Sequence, residues 1–170
     1  MTASRTRGLI REVETGDAGQ ISDIYNHYVE RSNATFEERP VPATDMERRI
    51  MEHAGSLPWL VWVEDGRILG YCYASKWRDR SAYRHSVEVT IYVRDGHTGA
   101  GIGGKLYAEL LGRLRNAGVR AAVAVIALPN ESSVALHESF GFEKAGHLRE
   151  IGRKFDRWID VGFWETVLSP

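Results

Sequence analysis

Glu88-Val89-Thr90-Ile91-Tyr92-Val93, followed after four residues by Thr98-Gly99-Ala100-Gly101-Ile102-Gly103-Gly104 and then Leu106, is the stretch on which the reading of this chain turns. Its first part alternates polar and β-branched residues, as a half-buried strand does. Its second part lets backbone N–H groups come close to a phosphate and opens a helix whose N-terminal end carries partial positive charge. The helix, Gly101 to Asn116, shows a stripe of Tyr107, Leu110, Leu111 and Leu114, with Gly118 placed to end it. Strand, glycine loop and helix in this order point to an anionic ligand held by main chain. The loop also matches the G-x-G-x-x-G pattern of dinucleotide sites, but three features oppose that reading. It follows three or four strands rather than the first, and those strands include a hairpin. The next strand, Ala121 to Ala127, ends without the Asp or Glu that would hold a ribose. A glycine turn with no ligand is the purely structural alternative.

Upstream, Leu9 to Val13 reads as a short strand, and Ile21, Ile24, Tyr25, Tyr28 and Val29 give a helix with helical apolar spacing. Thr44 followed by Glu47 has the form of a capping box opening a second helix toward Ile50 and Met51. Trp59 to Glu64 and Arg67 to Ala74 are strands joined by Asp65-Gly66, a type I′ hairpin signal. Downstream, the small and β-branched run Ala121 to Ala127 suits a strand buried on both faces. Asn130 to Phe140 is a short helix stopped by Gly141, and Phe142 to Gly152 and Trp158 to Val167 are two last strands. The order βαα-βββ-α-β-α-ββ predicts an α/β fold with a mixed sheet and helices on both faces, not a regular doubly wound one.

The 170 residues, 43% hydrophobic and 26% charged, have globular composition and show no linker, so a single domain over 1–170 is expected. With 22 basic against 23 acidic residues, the net charge of −1 gives no electrostatic case for nucleic acid or membrane as partner, though it does not exclude an anionic small molecule. Cys72 is the only cysteine, so no internal disulfide forms, and six histidines without helical spacing predict no metal site. The segment MTASRTRGLIREVETGD lacks the apolar run of a signal peptide, which makes the cytoplasm the expected compartment.

The strand and glycine loop resemble motif A of the GNAT N-acetyltransferases, whose loop cradles the pyrophosphate of coenzyme A. Gly101 and Gly103 occupy the family's glycine positions, and Thr98 stands where Gln or Arg is usual, a loss of one side-chain contact from a cradle made mostly of backbone N–H. Asn130 to Phe142 resembles motif B, which flanks the pantetheine arm. Asn26-His27-Tyr28, Pro58-Trp59-Leu60-Val61, Trp77-Arg78 with Ala82-Tyr83, Val123 to Asn130, Leu136-His137-Glu138 and Asp160 to Trp164 are similar to the phosphinothricin acetyltransferase group, over residues 9 to 167. The resemblance implies a mostly antiparallel sheet splayed at the cofactor site and acetyl-CoA as co-substrate. It further implies acetylation of the α-amine of phosphinothricin, methionine sulfoximine, methionine sulfone or a similar acceptor, by direct transfer in a ternary complex. It implies a homodimer as well, for which the strands around Trp158 and Trp164 offer a contact. It places Ile91, Val93, Thr98, Gly99, Gly101, Ile102, Gly103, Asn130, Ser132 and Ser133 at the cofactor.

Acetyl transfer to an amine needs a base for the ammonium proton, a donor to the thioester carbonyl and a proton for the leaving thiolate. Glu88 shares a strand face with Thr90 and Tyr92; among Val87, Val89 and Ile91 its carboxylate is partly desolvated, which raises its pKa toward that of a useful base. It is the proposed base of the family; a solvated strand carboxylate is the alternative. The backbone N–H of Val93 or Ile91 is the expected carbonyl donor. His137 stands where most of the family has a tyrosine near the sulfur, and an imidazole can protonate a thiolate; a histidine capping a core is the other reading. Lys76, Arg78, Arg80 and Arg84 precede Glu88, and Arg78 and Arg80 are the candidates to grip the acceptor's carboxylate, against a solvated loop. Phe36, Trp77 and Tyr83 are candidate pocket walls. A non-catalytic acyl-CoA sensor, and an acetyltransferase of another small amine, are the competing functions.

Overall fold

The protein, described here over residues 8–168 by a computed structural model, builds one seven-stranded sheet. Its strands are β1 (Leu9–Glu12), β2 (Trp59–Glu64), β3 (Arg67–Lys76), β4 (Ser86–Val93), β5 (Ala121–Leu128), β6 (Glu143–Lys154) and β7 (Arg157–Val167). The helices are α1 (Ala18–Arg31), α2 (Ala43–His53), α3 (Ile102–Asn116) and α4 (Glu131–Ser139), so the element order expected from the sequence is the one observed. Across the sheet the strands run β1-β2-β3-β4-β5-β7-β6, and every neighbouring pair is antiparallel except β4 with β5. Asp65 and Gly66 both have positive φ, 49° and 75°, as a type I′ turn between β2 and β3 requires.

Strand alternation divides the interior into two cores. Leu60, Cys72, Val87, Val89 and Ala124 face the layer of α3, where Leu106, Tyr107, Leu110 and Leu114 are buried. Val61, Ile68 and Tyr71 face α1 and α2, packing on Ile21, Ile24, Val29, Met46 and Ile50. On β4 the odd-numbered residues therefore point toward α3, and Glu88, Thr90 and Tyr92 toward the layer of α1. Among the described residues no helix is long and apolar enough to cross a membrane.

Three local expectations need correction. Helix α2 starts at Ala43 behind Pro42, whose carbonyl accepts the N–H of Asp45 and of Met46; Thr44 lies inside the first turn and makes no cap. Proline, lacking an N–H to satisfy and extended at ψ 152°, serves as the boundary residue in its place. In the same helix Ile50 is buried but Met51 is exposed. Strand β5 is buried along its α3 side from Ala122 to Ile126, but on the other face only Val123 is buried and Val125 is 39% exposed. And Trp164 is in the core, its Nε1 donating to Glu138 Oε1, so it offers no contact surface; Trp158 is 62% exposed.

Candidate active site

Strands β4 and β5 run side by side for three residues and then part. Ser86 pairs with Ala121, Val87 with Ala122 and Glu88 with Val123, and no later pair forms, while β5 stays bonded to β7 through Leu128. At its two ends the β4 main chain bonds the opposite neighbour: Trp77 N donates to Ser86 O, and Arg94 N donates to Leu69 O at 2.8 Å. Alternation then turns the N–H and C=O of Val89, Ile91 and Val93 toward the gap left by β5. The Val93 carbonyl is taken by the Tyr28 hydroxyl, which donates to it. The N–H groups of Ile91 and Val93 are donors facing the cleft.

One cavity fills the fork. The glycine loop enters it at one end, where Thr98, Gly99, Gly101 and Gly103 line the wall. Gly101 is the N-cap of α3 with φ 80°, a left-handed conformation that costs an L-residue roughly 1–2 kcal/mol, so glycine is the residue suited to this turn into the helix. A Cβ at Gly101 would meet nothing within 4 Å of protein, so it is the backbone conformation and not packing that calls for glycine there. Left-handed glycines leading into the α3 terminus are chemically suited to an anionic group such as a pyrophosphate. Ile102, also expected at the cofactor, does not line the cavity; its side chain is 6% exposed and packs in the α3 core. Asn130, Ser132 and Ser133 border the cleft at the start of α4, where Asn130 Oδ1 caps the helix by accepting Ser133 N.

Glu88 occupies the last paired position before the strands part, and its carboxylate lines the same cavity. Burial raises its pKa above the ordinary carboxylate value, with the nearby positive charge of Arg78 acting in the opposite direction. His137 also borders the cavity but is 3% exposed, wedged against Tyr107 and Phe142. Its Nδ1 donates to Ser133 O one helical turn back, at 2.7 Å, and its Nε2 is buried with no partner. Burial lowers its pKa, against the pull of that carbonyl, so the ring is neutral with the proton on Nδ1.

Phe36 lines the cavity, but Trp77, Arg78, Arg80 and Tyr83 do not. They sit on the exposed connection between β3 and β4; Arg78 lies over the Trp77 ring at 4.6 Å and Trp77 meets Phe163 edge-on. Residues that the sequence did not single out complete the wall: Tyr73, Thr90 and Tyr92 on the Glu88 side, Val125 and Leu136 opposite, and Asn33 to Thr35 from the connection after α1. The shared parity of Glu88, Thr90 and Tyr92 was the signal for two of them; nothing local marks the others. Among the described residues no group of three or more His, Cys, Asp or Glu is placed to hold a metal ion.

Residues 10–162 match the acetyltransferase (GNAT) domain family. The chain is 38% identical over 165 residues, 97% of its own length and 90% of the relative's, to the phosphinothricin N-acetyltransferase of Streptomyces viridochromogenes. It is 34% identical to the L-methionine sulfoximine/L-methionine sulfone acetyltransferase of Salmonella typhimurium, with 94% of each chain covered. The structure superposes with a TM-score of 0.91 on a GNAT superfamily phosphinothricin acetyltransferase from Sinorhizobium meliloti solved in complex with acetyl-CoA, at 37% identity over 95% of this chain and 89% of that one. A glycine cradle at the mouth of a forked sheet, a desolvated carboxylate at the fork and these likenesses agree, and the chain belongs to the GNAT family of acetyltransferases.

Proposed function

We propose that the protein transfers the acetyl group of acetyl-CoA to the α-amine of a small amino-acid-like acceptor, with phosphinothricin, methionine sulfoximine and methionine sulfone as the first acceptors to test. The observation that carries this is the position of Glu88: a half-buried carboxylate at the point where β4 leaves β5, in one cavity with the glycine loop. The two named relatives act on acceptors of this kind. Acetyl-CoA supplies the activated acyl group. The loop from Thr98 to Gly103 and the α3 terminus hold its pyrophosphate, and the N–H of Val93 or Ile91 polarises the carbonyl.

Glu88 takes one proton from the acceptor's ammonium, which frees the lone pair for attack. The second proton leaves nitrogen as the amide forms; His137 Nε2, the ring atom without hydrogen, accepts it and returns it to the departing thiolate. A buried imidazolium of lowered pKa is a ready donor, so His137 ends neutral again, and the cycle closes when Glu88 gives its proton to solvent. Transfer is direct. Cys72, the only cysteine, is 0% exposed beneath α3 with its thiol pushed well up by burial, which leaves no thiolate to carry the acyl group. Acceptor-dependent release of CoA thiol across a panel of amino acids and their sulfoximine, sulfone and phosphinyl analogues tests the reading. Binding of acetyl-CoA without turnover of any acceptor would leave an acyl-CoA sensor in its place.

Two further outcomes are expected. Gly101→Val should lower acetyl-CoA affinity by about ten- to a hundredfold, the worth of one or two charge-assisted hydrogen bonds to phosphate. Titration calorimetry on a variant that still melts cooperatively, at whatever temperature, checks this, and unchanged affinity would remove the cradle. The second outcome concerns assembly. Trp158 is exposed on β7, and the last hairpin around it is the proposed contact of a homodimer. Light scattering at micromolar concentration should give twice the chain mass, and Trp158→Glu should halve it; a monomeric wild type ends the proposal.

A further inference from the structure

The connection from α1 to α2, residues 32–42, contains no helix or strand, yet Asn33 to Phe36 form one wall of the cavity that holds Glu88. Such a segment needs external support to keep a fixed shape. From beneath, Tyr25 shares a hydrogen bond with Thr35 Oγ1 at 2.7 Å and the Tyr92 hydroxyl donates to Ala34 O at 3.3 Å. From above, support comes from the other end of the chain. Lys154, the last residue of β6 and only 2% exposed, donates from Nζ to both Ser32 O and Thr35 O, each at 2.8 Å. Two residues earlier, Gly152 lies flat against Phe36: a Cβ there would come within 2.2 Å of the ring.

A buried ammonium is costly, and an apolar residue would fill the same space more cheaply unless the donor is needed. Here its two oxygen partners are main-chain carbonyls that bracket Asn33 and Ala34. Inside that bracket, Asn33 Oδ1 is buried with no hydrogen-bond partner. The β6–β7 hairpin thus acts as a strap, with Lys154 as its clasp.

We propose that Lys154 is a positioning residue for the acceptor: by bracketing the Ser32 and Thr35 carbonyls it holds Phe36 and the wall from Asn33 to Thr35 at the depth that seats an amino-acid acceptor against Glu88. It does this without touching the glycine loop. The inference rests on the acceptor occupying this end of the cavity, as the proposed function has it.

Lys154→Met, of similar length but without a donor, should raise the acceptor's KM about tenfold or more, while the KM for acetyl-CoA moves by less than about twofold. Lys154→Arg, which retains donors, should recover part of the loss. Hydrogen exchange of the amides of residues 33–37, measured without ligand, should be faster in Lys154→Met. Faster exchange together with a selective rise in acceptor KM supports the proposal. Unchanged exchange, faster exchange with an unchanged acceptor KM, or an equal rise in both KM values overturns it. If Lys154→Met does not fold, Gly152→Ala displaces the same wall through Phe36 with the lysine intact, and the same selective rise is required. Should wild type acetylate no α-amino acid at all, the functional reading fails on its own, and the exchange measurement alone decides whether the strap exists.

Discussion

Glu88→Gln is expected to bind acetyl-CoA as wild type does and to lose about a hundredfold or more in kcat/KM for the acceptor, the range for removal of a positioned general base. The glutamine keeps the shape and the polar contacts of the side chain but cannot accept the ammonium proton. In wild type the rate should fall as pH drops through a value above the ordinary carboxylate pKa, because burial raises that of Glu88. In the variant this acid limb disappears. At high pH the gap between the two should narrow, since an α-amine with pKa of about 8 then loses its proton unaided. Steady-state rates across pH decide it, and a small loss independent of pH would make Glu88 a structural residue.

The same group carries a stability signature of opposite sign. A carboxyl whose folded pKa is raised stabilises the fold while protonated, below its unfolded pKa of about 4.3, and that contribution is lost as pH rises through the folded value. Glutamine does not ionise. Glu88→Gln should therefore melt above wild type at pH 7, with the two converging near pH 4. An active site that gives up stability for a desolvated base behaves this way.

Much of this architecture is legible in local pattern, for reasons that particular residues show. The glycine loop and the α3 stripe announce themselves because backbone conformation and helical periodicity are short-range properties. Glu88 could be placed on the Thr90 and Tyr92 face because strand parity is strict; Asp65 and Gly66 could be given a turn type because few residues accept positive φ. Where the outcome depends on what covers a surface, sequence says less. Val125 reads as interior, but the layer of α1 and α2 lies over β2 to β4, leaving that face of β5 open to the cleft. Trp158 and Trp164 look alike in sequence and end on opposite sides of burial.

Long-range contacts are the least legible. The bracket that Lys154 makes joins residues 122 and 119 positions apart, and no spacing rule marks it. The tautomer of His137 depends on a carbonyl in its own helix and on how deeply Tyr107 and Phe142 enclose the ring, which is a packing outcome. The basic cluster before Glu88 reads in sequence as a grip for an amino-acid acceptor's carboxylate or as a solvated loop. In the fold its connection is exposed and outside the cavity wall, with Arg78 near enough to act on Glu88 by charge.

That placement sharpens the test of substrate choice. If Arg78 or Arg80 pairs with the acceptor's carboxylate, replacing it by alanine should cost about ten- to a hundredfold in kcat/KM for the amino acid, with the constant for acetyl-CoA nearly unmoved. Arg78 has a second effect, because its positive charge holds down the pKa of Glu88. Arg78→Ala should therefore shift the acid limb of the rate profile upward for every acceptor, and the comparison must be made on the plateau above that limb. There a carboxamide analogue supplies the control: it should already be a poor acceptor for wild type, and the arginine variant should not penalise it further. A cycle of two acceptors and two proteins isolates the pairing from general damage. Arg80 does not figure among the charges acting on Glu88, so Arg80→Ala should leave the limb in place and show only the carboxylate effect, if it has one. Equal losses for the amino acid and its amide in both variants would mean that neither arginine reads the carboxylate. Arg78 would then act on the reaction only through the charge it presents to Glu88.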